Sequence, residues 1–161
     1  MNTCAQTGRK VTVIPPIAEM QGESRIDMRP KRVAAYCRVS TDREEQEHSF
    51  ETQKAMYTEM IMMKPTWQMA GIYADEGITG TVAKKRPGFM KMIEDCRKGK
   101  IDMIVTKSVS RFSRNNLDCL MYVRELKQLG IPIIFEKEGI NTIQVSSELL
   151  LTLFGALSQA E

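Results

Sequence analysis

Val33-Ala34-Ala35-Tyr36-Cys37-Arg38-Val39-Ser40 is the stretch on which the reading of this chain turns. It is an apolar run that ends with an arginine and a serine two positions apart. In a strand the side chains alternate, so Val33, Ala35, Cys37 and Val39 share one face while Arg38 and Ser40 share the other. A permanent cation then stands beside a hydroxyl. As the first strand of a parallel sheet, the run would deliver both groups to its carboxyl end, where open α/β folds bind ligands. A second basic element, Ser110-Arg111-Phe112-Ser113-Arg114-Asn115, follows another apolar strand, so positive charge from two places can converge on one hydroxyl. Such a site suits a phosphate.

Outward from Val33 the chain alternates strand and helix. A helix from about Phe50 carries Met56, Tyr57, Met60, Ile61 and Met63 at helical spacing until Pro65 ends it. Met69 to Ala74 reads as a second strand. The loop Asp75-Glu76-Gly77-Ile78-Thr79-Gly80-Thr81 and its basic continuation lead to Pro87, well placed as a first helical residue, with Phe89, Met92, Ile93 and Cys96 as a stripe and Gly99 as the stop. Ile101 to Thr106, mostly apolar, reads as a central strand. Asn116 is expected to cap a helix lined by Cys119, Tyr122, Val123, Leu126 and Leu129, with Gly130 as its stop. Ile131 to Phe135 is a fourth strand, with a short edge strand expected near Ile143. Leu149, Leu150, Leu153, Phe154 and Leu157 form a final amphipathic helix. The repeated order predicts a three-layer α/β/α fold with a mainly parallel sheet of four or five strands and helices on both faces. The last helix reaches Glu161 without a cap or breaker, so the natural chain is expected to continue, its Leu/Phe stripe meeting its own sheet or a partner.

At 161 residues with 42% hydrophobic content, the chain fits one folded unit of ordinary size. Residues 1–30, with Pro15-Pro16 and little periodicity, read as a flexible leader, and 31–161 as the folded domain. A net charge of +3 does not announce a nucleic-acid binder, but distribution says more. From Lys84 to Arg114 ten basic residues face three acidic ones, whereas Asp42 to Glu51 is acidic. The four cysteines show no CxxC spacing and read as buried thiols rather than zinc ligands or disulfides. No apolar run approaches the roughly 18 residues that span a bilayer, and no signal peptide precedes the first strand, so a cytoplasmic protein without a membrane partner is expected.

A serine hydroxyl is a poor nucleophile near neutral pH, and attack on phosphorus needs a proton acceptor, neutralised phosphate oxygens, or both. Arginine meets the second need: its planar fork binds phosphate bidentately and holds charge in the transition state. Arg38 beside Ser40, Arg86 at a loop end, and Arg111 with Arg114 on one helical turn make four candidates. Taken singly, a serine after a strand is commonly a turn residue and an arginine a solvated charge. Jointly, at strand ends, they are harder to dismiss. His48, the only histidine, lies in an acidic polar loop and reads as a surface residue. The common nucleotide-binding loops are absent. Asp75 and Glu76 follow the second strand and could bind Mg²⁺, but a lone adjacent pair is a weak metal signal.

The segments YCRVSTD (36–42), YADEGITGT (73–81) with KKRPGF (84–89), GKIDMIVTKSVSRFSRN (99–115) and the terminal ALSQAE together resemble the catalytic domain of serine recombinases, the resolvase and invertase superfamily. The resemblance runs from about residue 31 to 161, and SRFSRN with RPGF looks most like the large members that serve as phage integrases and mobile-element transposases. It implies Ser40 as nucleophile, Arg38, Arg86, Arg111 and Arg114 around the scissile phosphate, and Gln53 as a polar member of the same pocket. Two departures stand out. Small resolvases often carry an aspartate where this chain has Ser110. The loop after Ser40 is longer, and a glutamine found in some members four residues beyond the nucleophile is Glu44 here, with Gln46 nearby.

The resemblance further implies attack on a DNA phosphodiester, giving a 5′-phosphoserine link and a free 3′-hydroxyl. Rejoining then needs no ATP, and arginines take the electrostatic part that metals play in many nucleases, so the resemblance implies no metal or cofactor. Partners would be DNA and other copies of the chain, as a homodimer or homotetramer of the full-length protein. Specific recognition would come from domains beyond this one, leaving residues 1–161 to bind DNA weakly through phosphates. Two other classes stay open on the residues alone: a metal-dependent nuclease or phosphodiesterase using Asp75 and Glu76, and a noncatalytic oligomerisation module that presents its final helix.

Overall fold

The expected first strand forms β1, Lys31–Val39, and the rest of the sheet is laid down beside it. The structure, a computed structural model, describes residues 29–39, 50–76, 86–113 and 115–159. In chain order β1 is followed by α1 (Phe50–Met62), β2 (Trp67–Glu76), α2 (Pro87–Arg97), β3 (Met103–Thr106), α3 (Val109–Phe112), α4 (Asn116–Gln128), β4 (Ile133–Phe135), β5 (Ile140–Asn141) and α5 (Ser147–Gln159). The five strands stand in the order β2-β1-β3-β4-β5; β1 to β4 are parallel, and β5 runs antiparallel to β4 at the edge. Strand β3 lies at the centre, as its apolar sequence requires.

The alternation on β1 sorts two cores. Val33, Ala35 and Cys37 pack with Met103, Val105 and, from α1, Tyr57 and Ile61. Ala34 and Tyr36 face the other way, into a larger core with Ile104, Ile133 and Phe135 of the sheet and side chains of α2, α4 and α5. Edge-to-face rings run through that larger core. Tyr36 meets Phe89 at 5.4 Å between centroids, Phe89 meets Phe112 at 5.1 Å, Phe112 meets Phe135 at 5.7 Å and Phe135 meets Phe154 at 6.4 Å. The chain of rings links α5 to the carboxyl edge of the sheet.

Helix punctuation follows the sequence: Pro87 opens α2, and Gly99 (φ 68) and Gly130 (φ 73) take the left-handed conformation that ends α2 and α4. Other expectations need correction. The cap of α4 is Asn115, not Asn116: its side chain accepts from Leu117 N at 3.0 Å. Strand β4 starts at Ile133 because Pro132 has no N–H to give the ladder, and the edge strand is Ile140–Asn141 rather than Ile143. Met56, Met63 and Leu129, counted among apolar stripes, are 46%, 75% and 48% exposed. Strand β2 is longer than Met69–Ala74 and carries one irregularity: Val33 pairs with Met69 but Ala34 with Gly71, leaving Ala70 over. Trp67 and Met69 pack on the α1 side, and so do Ile72 and Ala74, while Tyr73 packs on the opposite side. The expected leader, save Arg29 and Pro30, lies outside the described residues.

Candidate active site

Strand β1 carries Arg38 to the carboxyl edge of the sheet, where its side chain is 4% exposed. Its Nη2 donates to the carbonyl of Ser110 at 3.3 Å, and Arg111 Nη1 donates to the carbonyl of Arg38 at 3.3 Å. Each guanidinium thus anchors on the backbone beside the other, and the end of β1 is locked to α3. The single turn of α3 starts at Ser108, whose hydroxyl accepts from Arg111 N at 3.3 Å and lies 3.0 Å from that of Ser110. It stops at Phe112, and Ser113 is extended (φ −157), so the turn expected to hold Arg111 and Arg114 together falls short of Arg114. Arg114 and Ser40 lie outside the described residues, as does His48.

Arg86 sits one residue before α2, and its side chain is completely buried. Its Nη1 donates to the carbonyl of Phe112 and, at 3.3 Å, to the hydroxyl of Tyr36. Its guanidinium carbon stands 3.9 Å over the Phe89 ring and 5.8 Å from that of Tyr36. Burying a cation is costly, and ring faces and a carbonyl dipole offset part of that cost without cancelling the charge. Its Nε and Nη2 have no partner among the described residues.

Asp75 holds this arrangement, a role the sequence reading missed. Its Oδ2 accepts from Tyr36 Oη at 2.9 Å and from Phe89 N at 2.9 Å, and its Oδ1 accepts from Gly88 N at 2.8 Å. The carboxylate therefore satisfies the open N–H groups of α2 and turns a lone pair of the Tyr36 hydroxyl toward Arg86. Burial pushes the Tyr36 hydroxyl far above its ordinary pKa, with Arg86 pulling against that and Asp75 adding to it, so the phenol stays neutral at any working pH. A Cβ on Gly88 would stand 2.3 Å from the carbonyl oxygen of Ala74. The segment RPGF is thereby explained: arginine enters the core, proline opens the helix, glycine lets the helix press on β2, and phenylalanine supplies the ring. Spacing alone signals only the proline.

Gln53 lies on α1, on the other face of the sheet, half-buried in a cleft with Lys107 and Glu136. The structure therefore brings Arg38, Arg86 and Arg111 together and leaves Gln53 across the edge from them. The basic excess between Lys84 and Arg114 does not all face this site. Lys91 and Lys100 pair with Asp95 at 3.1 and 3.3 Å, Arg97 pairs with Glu125 at 2.6 Å, and Lys98 pairs with Glu94. Asp95 is held at about 2, by the Tyr73 hydroxyl first and Lys91 next.

Among the described residues no three His, Cys, Asp or Glu side chains gather as metal ligands, and Asp75 spends both oxygens on its three donors. Cys37, Cys96 and Cys119 are free and buried, each thiol pushed up to about 12, chiefly by burial. These three serve packing, not thiolate chemistry. No helix among the described residues is long and apolar enough to cross a membrane.

Residues 33–161 match the family model described as "Resolvase, N terminal domain". The chain is 30% identical over 130 residues to a protein of Bacillus subtilis (strain 168) provisionally named a DNA recombinase, covering 80% of this chain and 25% of that one. Among solved structures, the N-terminal catalytic domain of TP901-1 integrase superposes with a TM-score of 0.64 at 28% identity, covering 80% of this chain and 95% of that one. A resolvase family site-specific recombinase from Streptococcus pneumoniae gives 0.61 at 25% identity, covering 81% and 87%. The chain spans a quarter of the length of the Bacillus protein.

Proposed function

The chain belongs to the resolvase N-terminal domain family, and from that premise we propose that residues 31–161 are the catalytic domain of a serine recombinase of the integrase or transposase type. One observation carries the reading: Arg38 and Arg111 interlock at the carboxyl end of β1, two residues before Ser40 in the chain. Ser40 Oγ attacks a DNA phosphorus and gives up its proton. The bond from phosphorus to O3′ breaks, O3′ leaves as a hydroxyl, and a 5′-phosphoserine remains. Attack by a 3′-hydroxyl on that phosphoserine reverses the step, so the bond count is conserved and no nucleotide hydrolysis is needed.

Arg38, Arg111 and Arg114 grip the phosphate oxygens. Arg86 supports them from behind, adding buried positive potential and tying Phe112 at the end of α3 to Tyr36 of β1. Gln53 contributes from α1. Charge stabilisation by arginine replaces that of a metal, and the work is done on DNA by an assembly of two or four copies. The test is covalent capture: the full-length protein on a nicked recombination site yields a protein–DNA adduct that persists in chelator and vanishes in Ser40→Ala. Loss of the adduct on chelation, or its survival in Ser40→Ala, overturns the reading. Arg111→Ala is expected to slow capture by about 100-fold, the scale of losing one donor to a developing oxyanion.

A further inference from the structure

Beside the arginine cluster, on the α1 side of the same sheet edge, lies a cleft of about 400 Å³. Gln53, Met56 and Tyr57 of α1 form one wall, Lys107 follows β3, and Glu136 and Lys137 follow β4. Both lysines are exposed, and among the described residues neither has a carboxylate in ion-pair range. They are also fixed side by side: Lys137 N donates to Lys107 O at 2.8 Å and Glu136 N to Thr106 O at 3.1 Å, which continues the pairing of β3 and β4 past the ends of the strands. Neighbouring strands lie about 4.8 Å apart, so two flexible ammonium groups converge on one small volume. The one acid in the cleft is tied down, since Tyr57 Oη donates to Glu136 Oε2 at 2.9 Å.

We propose that this cleft is a second phosphate position, in which Lys107 and Lys137 hold a non-scissile phosphate of the DNA strand whose neighbouring phosphate lies at Arg38 and Arg111. The assignment rests on the recombinase reading and extends it to residues that reading leaves out. A strand running along the carboxyl edge from β1 across β3 to β4 meets the arginines on one side and the lysine pair on the other. Glu136 opposes the bound phosphate, so the two signs of charge in the cleft pull affinity in opposite directions.

The experiment is DNA binding by the 161-residue chain, read as the slope of log affinity against log salt concentration. Lys107→Gln and Lys137→Gln should each lower the slope by about 0.9, and the double variant by about twice that, one released counterion per lost phosphate contact. Glu136→Gln keeps the bond to Tyr57, removes the negative charge and should raise affinity. Lys64→Gln, at the opposite edge of the sheet over Trp67, should leave the slope unchanged. Wild-type slopes in both lysine variants, with melting temperatures intact and Ser40-dependent capture still observed, overturn this inference and leave the recombinase reading standing. Salt-independent binding, or none, by the wild-type chain overturns both.

Discussion

The two edges of the sheet treat arginine in opposite ways. At the amino edge, Arg32 is matched by Asp102: Nε donates to Oδ2 at 2.9 Å, Nη2 to Oδ1 at 2.8 Å, and the Arg32 backbone N–H to Oδ2 at 2.9 Å. That bidentate pair ties the start of β1 to the residue before β3 and cancels the charge that forms it. At the carboxyl edge, Arg38, Arg86 and Arg111 donate to the carbonyl oxygens of Ser110, Phe112 and Arg38. A carbonyl orients a guanidinium but carries no formal counter-charge. One edge is therefore closed by an ion pair, while the described arginine bonds at the other run to neutral carbonyl oxygens.

The severest way to break this contrast is to push α2 off the carboxyl edge. Gly88→Ala drives a methyl into the Ala74 carbonyl and the Asp75 carboxylate, and should cost about 3 kcal/mol or more, read from the urea midpoint. A stability equal to wild type would mean that α2 docks differently. Next comes the exchange of charge for a hydrophobe of similar length at each edge. Arg86→Met removes a buried cation and should leave folding stability within about 1 kcal/mol of wild type, or raise it, while covalent capture falls about 100-fold. Arg32→Met should do the reverse, sparing capture and lowering the melting temperature slightly, by less in 1 M salt than in dilute buffer. Parallel losses of capture and stability at both edges would mean that the two edges use arginine alike.

The smallest effect concerns Asp95, which serves the neutralised part of the molecule. Its folded pKa of about 2 lies below the ordinary aspartate value of about 3.9, so its contribution is complete above about pH 4 and drains away as pH falls through 2. Asp95→Asn should flatten that acid limb in melting curves taken between pH 5 and pH 2 and leave stability at pH 7 to the neutral bonds with Tyr73.

Much of the fold was legible because it rests on local pattern. Alternation along Val33 to Cys37 sorted the two cores, and Pro87, Gly99 and Gly130 set helix ends through backbone geometry that few other residues satisfy. The site was legible only as a set of residue types. A count of charge cannot tell that Lys91, Arg97, Lys98 and Lys100 meet acids, since their partners are fixed by how helices dock. Asp75 read as a weak metal ligand because its true partners, Tyr36 and the first turn of α2, lie 39 residues upstream and across a loop. Arg86 read like its companions, although a ring at 3.9 Å and a carbonyl draw it wholly inside. Met56 and Met63 failed because helical spacing identifies an apolar face without guaranteeing that anything covers it.

The leftover alanine of β2 acts as a change of phase. Odd-numbered side chains before it point toward α1 and even-numbered ones do so after it, so a strand with two exposed-or-buried alternations is spliced from halves of opposite parity. Without that one-residue slip, Asp75 would emerge among the side chains under α1, and the phenol of Tyr36 and the opening turn of α2 would face an alanine. A single small residue at the rim of the sheet thus decides on which side of the molecule the acid that steadies the arginines appears.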